Sequence, residues 1–228
     1  MKSARLVSRR NIKFNDISEP GPLRENEVLI EIKSMSICGS DILLEYDAEL
    51  PEEHYPFLHG APMHECAGVV LDSKSSKYKN GDRVIVFPEN VNGMQERIIS
   101  TSSRLIKLPS WGLLDDWVMC QPMGTALFST KKWGNPINKN IAIIGQGPIG
   151  LTFTQIAEKQ GALNIVGIDL IKSRCIKSIE FGSTDFIHPE KENILDKSLE
   201  ITNGKLFDTV VDASGDHTGL NTAINIAK

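Results

Sequence analysis

Cys38, Ser40 and Asp41 stand together in the stretch ICGSD, and His64 and Glu65 stand together in MHECAG. A thiolate and an imidazole from separate segments, with carboxylates close by, suit zinc, which accepts S, N and O ligands in a tetrahedron. A lone cysteine is more often a small core residue, and a lone histidine is more often structural. Spacing alone therefore favours a metal no more than it favours packing. A third segment, VMCQPMG, sets Cys120 beside Gln121. Both side chains carry lone pairs, one on a soft thiolate and one on a weak neutral amide.

IAIIGQGPIG points to a second chemistry. Gly145, Gly147 and Gly150 fall at GxGxxG spacing, with Pro148 and Ile149 inside the loop. The loop sits between a predicted strand and a predicted helix, and Asp169 ends the next predicted strand. In that context the first glycine permits the tight turn, the second lets the backbone approach a pyrophosphate, and the third lets the helix pack on the strand. The helix N-terminus offers free N–H groups and a positive dipole end to phosphates. Asp169 can accept from the adenosine ribose hydroxyls and would repel a 2′-phosphate, which favours NAD. Arg174 close by leaves NADP open.

The elements that must carry these residues change character along the chain. The first half reads as short strands: EVLIEIKSMSI alternates apolar and polar residues before CGSD, and ECAGVVLDS, GDRVIVFPE and MQERIISTSSRLIKLP follow. They predict a compact β-rich domain up to about residue 110. The second half alternates strand and helix four times, from NIAIIG to DHTGLNTAINIAK, which predicts βαβ units and a parallel sheet. VMCQPMG lies where one pattern gives way to the other and reads as a hinge.

Composition narrows the class. The 228 residues carry 25 Lys and Arg against 29 Asp and Glu, a net charge of -4. That gives no reason to expect nucleic acid or an anionic membrane as partner. No apolar run reaches the roughly 20 residues that span a bilayer, and no apolar segment follows the basic start as a secretory signal requires. The four cysteines, at 38, 66, 120 and 175, are far apart and form no CxxC pair. This argues against a disulfide framework and a four-thiolate zinc knot, and a cytoplasmic protein is expected.

ICGSD, HECAGVV, GDRV, LIKLP and IAIIGQGPIGL, in that order, resemble the zinc-dependent medium-chain dehydrogenase/reductase superfamily. The polyol and threonine dehydrogenases look nearest. The resemblance implies an α/β chain: a GroES-like catalytic domain over residues 1–120 and a Rossmann NAD-binding domain, a doubly wound parallel sheet, over 121–228, with the active site between them. It implies Cys38 and His64 as zinc ligands, Ser40 as the hydroxyl that takes the alcohol proton, and Asp41 as the carboxylate that orients His64. Glu65 is the adjacent acid able to reach the metal, and Gln121 stands where relatives carry an acidic third ligand. Gln121 rather than Cys120 is expected to face the metal. The implied reaction passes hydride between an alcohol or polyol and NAD, with one catalytic zinc.

Departures from the family pattern matter too. FPENVNGMQERI lacks the four cysteines of a structural-zinc lobe. Leu43 replaces a relay histidine, so the proton needs another carrier such as His54, His59 or Glu45. The ligand histidine follows Met63 instead of a glycine. Four strands are counted where a full dinucleotide domain has six, so the chain reads as C-terminally truncated, from a full-length form expected to be a homo-oligomer. A zinc-free reductase of the same superfamily, or a non-catalytic dinucleotide-binding protein, are the competing readings.

Overall fold

β-Branched residues at every second position give the amino-terminal half its strands, because such side chains fit a pleated surface with one buried face. The computed structural model describes all 228 residues, Met1–Lys228. They divide into two compact units, Met1–Pro122 and Met123–Lys228. In the first, β1 (Lys2–Ser8) and β2 (Asn11–Asp16) form an antiparallel pair. β3 (Glu27–Ser36), β4 (Glu65–Ser73), β5 (Arg83–Val86), β6 (Arg97–Thr101) and β7 (Leu105–Lys107) form an antiparallel sheet in the order β6-β3-β4-β5-β7. Val28, Ile30, Cys66, Val70, Val84, Val86, Ile98 and Leu105 interlock beneath it as the core.

The register of β3 on β4 positions the first set of chemical residues. Ser36, the last residue of β3, lies opposite Glu65, the first of β4. Two irregularities interrupt the ladder, at Leu29/Ile30 and Ile32/Ser34. The second restores the register that the first displaces. Beyond Ser36 the chain enters a π-helical turn, Asp41–Tyr46, a form often found at functional sites. The β1–β2 pair and this turn were not anticipated. β2 alternates polar and apolar residues, but Ile12 and Phe14 face solvent instead of marking a buried face, and the turn spans only six residues.

VMCQPMG, expected as a hinge, is helical. α1 (Leu114–Trp117) is followed by α2 (Cys120–Ser129), and the boundary between the units falls inside α2. Pro122 fits because the first turn of a helix needs no donor from it.

The second unit is a parallel four-stranded sheet, ordered β10-β9-β8-β11. Its strands are β8 (Asn140–Ile144), β9 (Asn164–Ile168), β10 (Asp185–Ile187) and β11 (Thr209–Asp212). The helices between and after them are α3 (Pro148–Lys159), α4 (Lys172–Glu180), α5 (Ile194–Ile201) and α6 (His217–Ile226). Every residue of β8 is buried, as expected of a central strand covered on both faces. Ala142, Ile144, Val166, Ile168, Ile187, Phe207 and Ile226 pack on one side of the sheet, and Ala126, Ile141, Ile143, Phe153, Ala157 and Ile165 on the other.

At the foot of this sheet the Asp208 carboxylate takes Lys228 Nζ at 2.7 Å and the Asn140 N–H at 2.9 Å. These contacts, with Lys139 nearby, lower its pKa to about 2. A depressed carboxylate stabilises the fold above its unfolded pKa and loses that contribution as pH falls toward the folded value. Asp208→Asn is expected to cost about 1 kcal/mol at pH 7. In urea titrations the gap to the parent should narrow steadily below pH 4; a gap independent of pH would contradict the ion-pair account.

Candidate functional site

In the first unit, the end of β3 and the start of β4 bring Cys38, His64 and Glu65 together. The Cys38 Sγ, a nitrogen of His64 and a carboxylate oxygen of Glu65 all lie within 4.8 Å of one another. Ligands of a tetrahedral zinc, at about 2.0–2.3 Å from the metal, sit roughly 3.3–3.8 Å apart. Small side-chain adjustments would close this set on an ion. A thiolate, an imidazole and a carboxylate are a donor set that zinc accepts, so these residues fit the metal.

Asp41 organises the set. It is 4% exposed. Its Oδ1 lies 2.8 Å from His64 Nδ1, and its Oδ2 accepts the Cys38 N–H at 2.9 Å. One carboxylate thus anchors the backbone of one candidate ligand and the ring of another. With Nδ1 engaged, His64 presents Nε2 as the free donor, as carboxylate–histidine pairs do around metals. The His64 ring also meets Phe87 in a tilted pair, 5.8 Å between centroids, and Arg104 lies over Phe87 at 5.0 Å. No spacing in the sequence announces the Phe87 contact.

The remaining side chains fall into place around this group. Cys66, next to Glu65, is fully buried; burial, with Asp41 and Glu65 nearby, pushes its thiol up to about 12. It is therefore a protonated packing group. Ser40 is half-buried where the π-helical turn begins. Leu43, the replacement for a relay histidine, is exposed. Of the alternative proton carriers, Glu45 has its carboxyl raised by burial and by Asp41, with His64 opposing. Its Oε2 is buried without a partner, as is His59 Nδ1, while His54 is exposed. Cys120 is exposed and outside the metal-ligand group; Gln121 is half-buried in the first turn of α2.

In the second unit the GQGPIG loop joins β8 to α3, with Gly147 as N-cap and Pro148 in the first turn. Gly145 has φ +84°, and a Cβ there would lie 2.7 Å from the Ser214 Cα. A Cβ on Gly150 would run into the Gly145 carbonyl oxygen. Both glycines are thus required by close backbone approach. Ile149 packs against the core that contains Phe153. Asp169 follows β9 directly, 8% exposed. It accepts the Gln146 N–H at 2.7 Å on Oδ2 and the Ile171 N–H at 2.8 Å on Oδ1. The Arg174 guanidinium is 3.8 Å from Oδ2. Ser214, hydrogen-bonded to Asp212 at 2.6 Å, borders this loop and was not anticipated. The DASG turn that holds it was its only signal.

A carboxylate that orients a metal-binding histidine typically accounts for 10–100-fold in metal affinity. Asp41→Asn is expected to weaken zinc by about tenfold or more in a competitive chelator titration, with the fold retained. An unaltered zinc affinity would remove Asp41 from that role.

Two family models match the chain: "Alcohol dehydrogenase GroES-like domain" over residues 24–124, and "Zinc-binding dehydrogenase" over residues 148–228. An uncharacterized zinc-type alcohol dehydrogenase-like protein of Haemophilus influenzae is 28% identical, over all of this chain and 73% of its own length. The L-threonine 3-dehydrogenase of Bacillus licheniformis is 26% identical over 89% of this chain and 66% of its own. The crystal structure of 2R,3R-butanediol dehydrogenase from Bacillus subtilis superposes with a TM-score of 0.84 at 25% identity, covering all of this chain and 74% of that one. No helix is long and apolar enough to cross a membrane. The motif order, the antiparallel sheet followed by a parallel one, and these matches agree: the chain belongs to the zinc-type medium-chain dehydrogenase/reductase superfamily, a family of oxidoreductases.

Proposed function

We propose that this chain serves a zinc-dependent, NAD-linked dehydrogenase of small alcohols or polyols. The observation that carries the reading is the convergence of Cys38, His64 and Glu65 within 4.8 Å, with Asp41 holding His64 Nδ1 at 2.8 Å. Cys38, His64 Nε2 and Glu65 would hold the metal. When bound, zinc supplies the Lewis acidity that lowers an alcohol's pKa or polarises a carbonyl, and the nicotinamide supplies the hydride partner.

This chain's own groups do the rest. The Asp41 carboxylate keeps His64 in one orientation and tautomer. Ser40 Oγ, two residues from Cys38, is assigned the alcohol proton. Leu43 offers no proton to continue the relay, so the proton passes from Ser40 to water or to Glu45, the carrier that feels both Asp41 and His64. Gln121 stands by as a neutral hydrogen-bond partner near the metal or as its weak ligand. The absence of a cysteine-rich lobe after GDRV goes with a single metal per chain.

In the nucleotide unit, Gly145, Gly147, Pro148, Ile149 and Gly150 form the turn that would receive a pyrophosphate at the α3 N-terminus. Asp169 would receive the adenosine ribose. Its negative charge favours NAD over NADP, and Arg174 at 3.8 Å partly offsets that preference.

Three measurements test the reading. Metal analysis of the purified chain should give one zinc per chain, lost in Cys38→Ala; absence of zinc from the parent would sink the metal assignment. Gln121→Glu should tighten zinc by about tenfold, since an anion replaces a neutral donor; no gain would put residue 121 outside contact with the metal. Finally, NAD titration combined with an alcohol and polyol panel should give binding and hydride transfer together. Binding without transfer to any substrate would favour a non-catalytic dinucleotide-binding protein.

A further inference from the structure

Within the GxGxxG loop, position 146 is free in the motif yet highly constrained in this protein. Gln146 is fully buried. A buried amide is costly unless its groups are satisfied, and here they are. Its Oε1 accepts from the Thr154 hydroxyl at 3.1 Å, and its Nε2 donates to the Ile143 carbonyl at 2.9 Å. Its backbone N–H donates to Asp169 Oδ2 at 2.7 Å. One residue therefore joins strand β8, helix α3 and the carboxylate at the end of β9.

The neighbouring strand makes room for it. A Cβ on Gly167 would lie 3.0 Å from Gln146 Cδ and 2.6 Å from Ser178 Oγ. The missing side chain on β9 leaves a slot that the amide shares with Ser178. Thr154 is fully buried as well, so neither partner has water as a substitute.

The consequence falls on Asp169. Each carboxylate oxygen has two lone-pair directions. The Gln146 N–H takes one on Oδ2 and the Ile171 N–H takes one on Oδ1. One direction per oxygen remains, which matches the two hydroxyls of an adenosine ribose. A carboxylate held on both oxygens cannot turn aside for a 2′-phosphate.

We propose that the Gln146 side chain is a positioning residue for NAD selectivity. By tying the turn to Thr154 and Ile143, it keeps the Gln146 N–H aimed at Asp169 and so keeps that carboxylate facing the ribose hydroxyls. The inference rests on the dinucleotide reading above and goes beyond it, because the motif assigns nothing to this side chain.

The test compares the purified chain with Gln146→Met, which fills the same space without hydrogen bonds, and Thr154→Val, which removes only the hydroxyl. Dissociation constants for NAD and for NADP are measured by calorimetry, with thermal melting as the check on folding. Gln146→Met should weaken NAD by about tenfold, the worth of one or two buried hydrogen bonds, while leaving NADP unchanged, so that the NAD/NADP preference falls by the same factor. Thr154→Val should shift the preference in the same direction by about threefold. Parallel loss of both nucleotides would mean a structural strut only and would overturn the proposal, as would an unchanged preference in both variants. If Gln146→Met does not fold, Thr154→Val decides. If the parent binds neither nucleotide, the dinucleotide reading fails and this inference falls with it; if the parent binds and only the preference stays put, this inference alone fails.

Discussion

The antiparallel pairing of Ser36 with Glu65 is the constraint on which the candidate metal-binding group depends. Cys38 lies two residues past one end of the pair, and His64 one residue before the other. Shifting the register by one residue would turn every side chain of β4 to the opposite face. Glu65 would leave the group, and Cys66 would leave the core that holds the sheet. Apolar packing of Val28, Ile30, Cys66 and Val70 thus fixes the position of the candidate ligands, which contribute little to the core.

Asp41 converts that proximity into a defined site. The backbone alone would bring Cys38 and His64 near each other without setting the ring's orientation. By accepting from Cys38 N and pairing with His64 Nδ1, the carboxylate joins loop and ring in one hydrogen-bonded unit. Its burial strengthens both contacts, since competing water is excluded. Asp169 follows the same plan in the second unit: a nearly buried carboxylate, held by two backbone N–H groups. In each case an acid that could rotate freely in solution is given one direction by donors on its own chain.

The glycines of the second unit answer to two different constraints. Gly145 and Gly150 are needed because backbone atoms meet there. Gly167 is needed because the Ser178 hydroxyl and the Gln146 amide occupy its side-chain space. The first kind appears in a motif, since any sequence making the turn meets the same sterics. The second depends on which residues happen to stand at positions 146 and 178, so no motif records it.

The sequence alone determined the order of elements, the split into a β-rich and a βαβ half, and the residues able to do chemistry. Period-2 and period-3.6 patterns and glycine spacing are local properties, readable without the fold. The family resemblance rested on the same local strings. Tertiary structure alone decided which of those residues meet. The grouping of Glu65 with Cys38 and His64 follows from a strand register set by core packing. The exposed place of Cys120 and the helical setting of Gln121 come from α2 starting in a segment that reads as a hinge, with Pro122 in its first turn. The contacts of Phe87 with His64 and of Gln146 with Thr154 and Asp169 join residues far apart in sequence or hidden at variable positions. Distances of that kind arise only when the apolar surfaces have closed, which is why the chain's local pattern carries no trace of them.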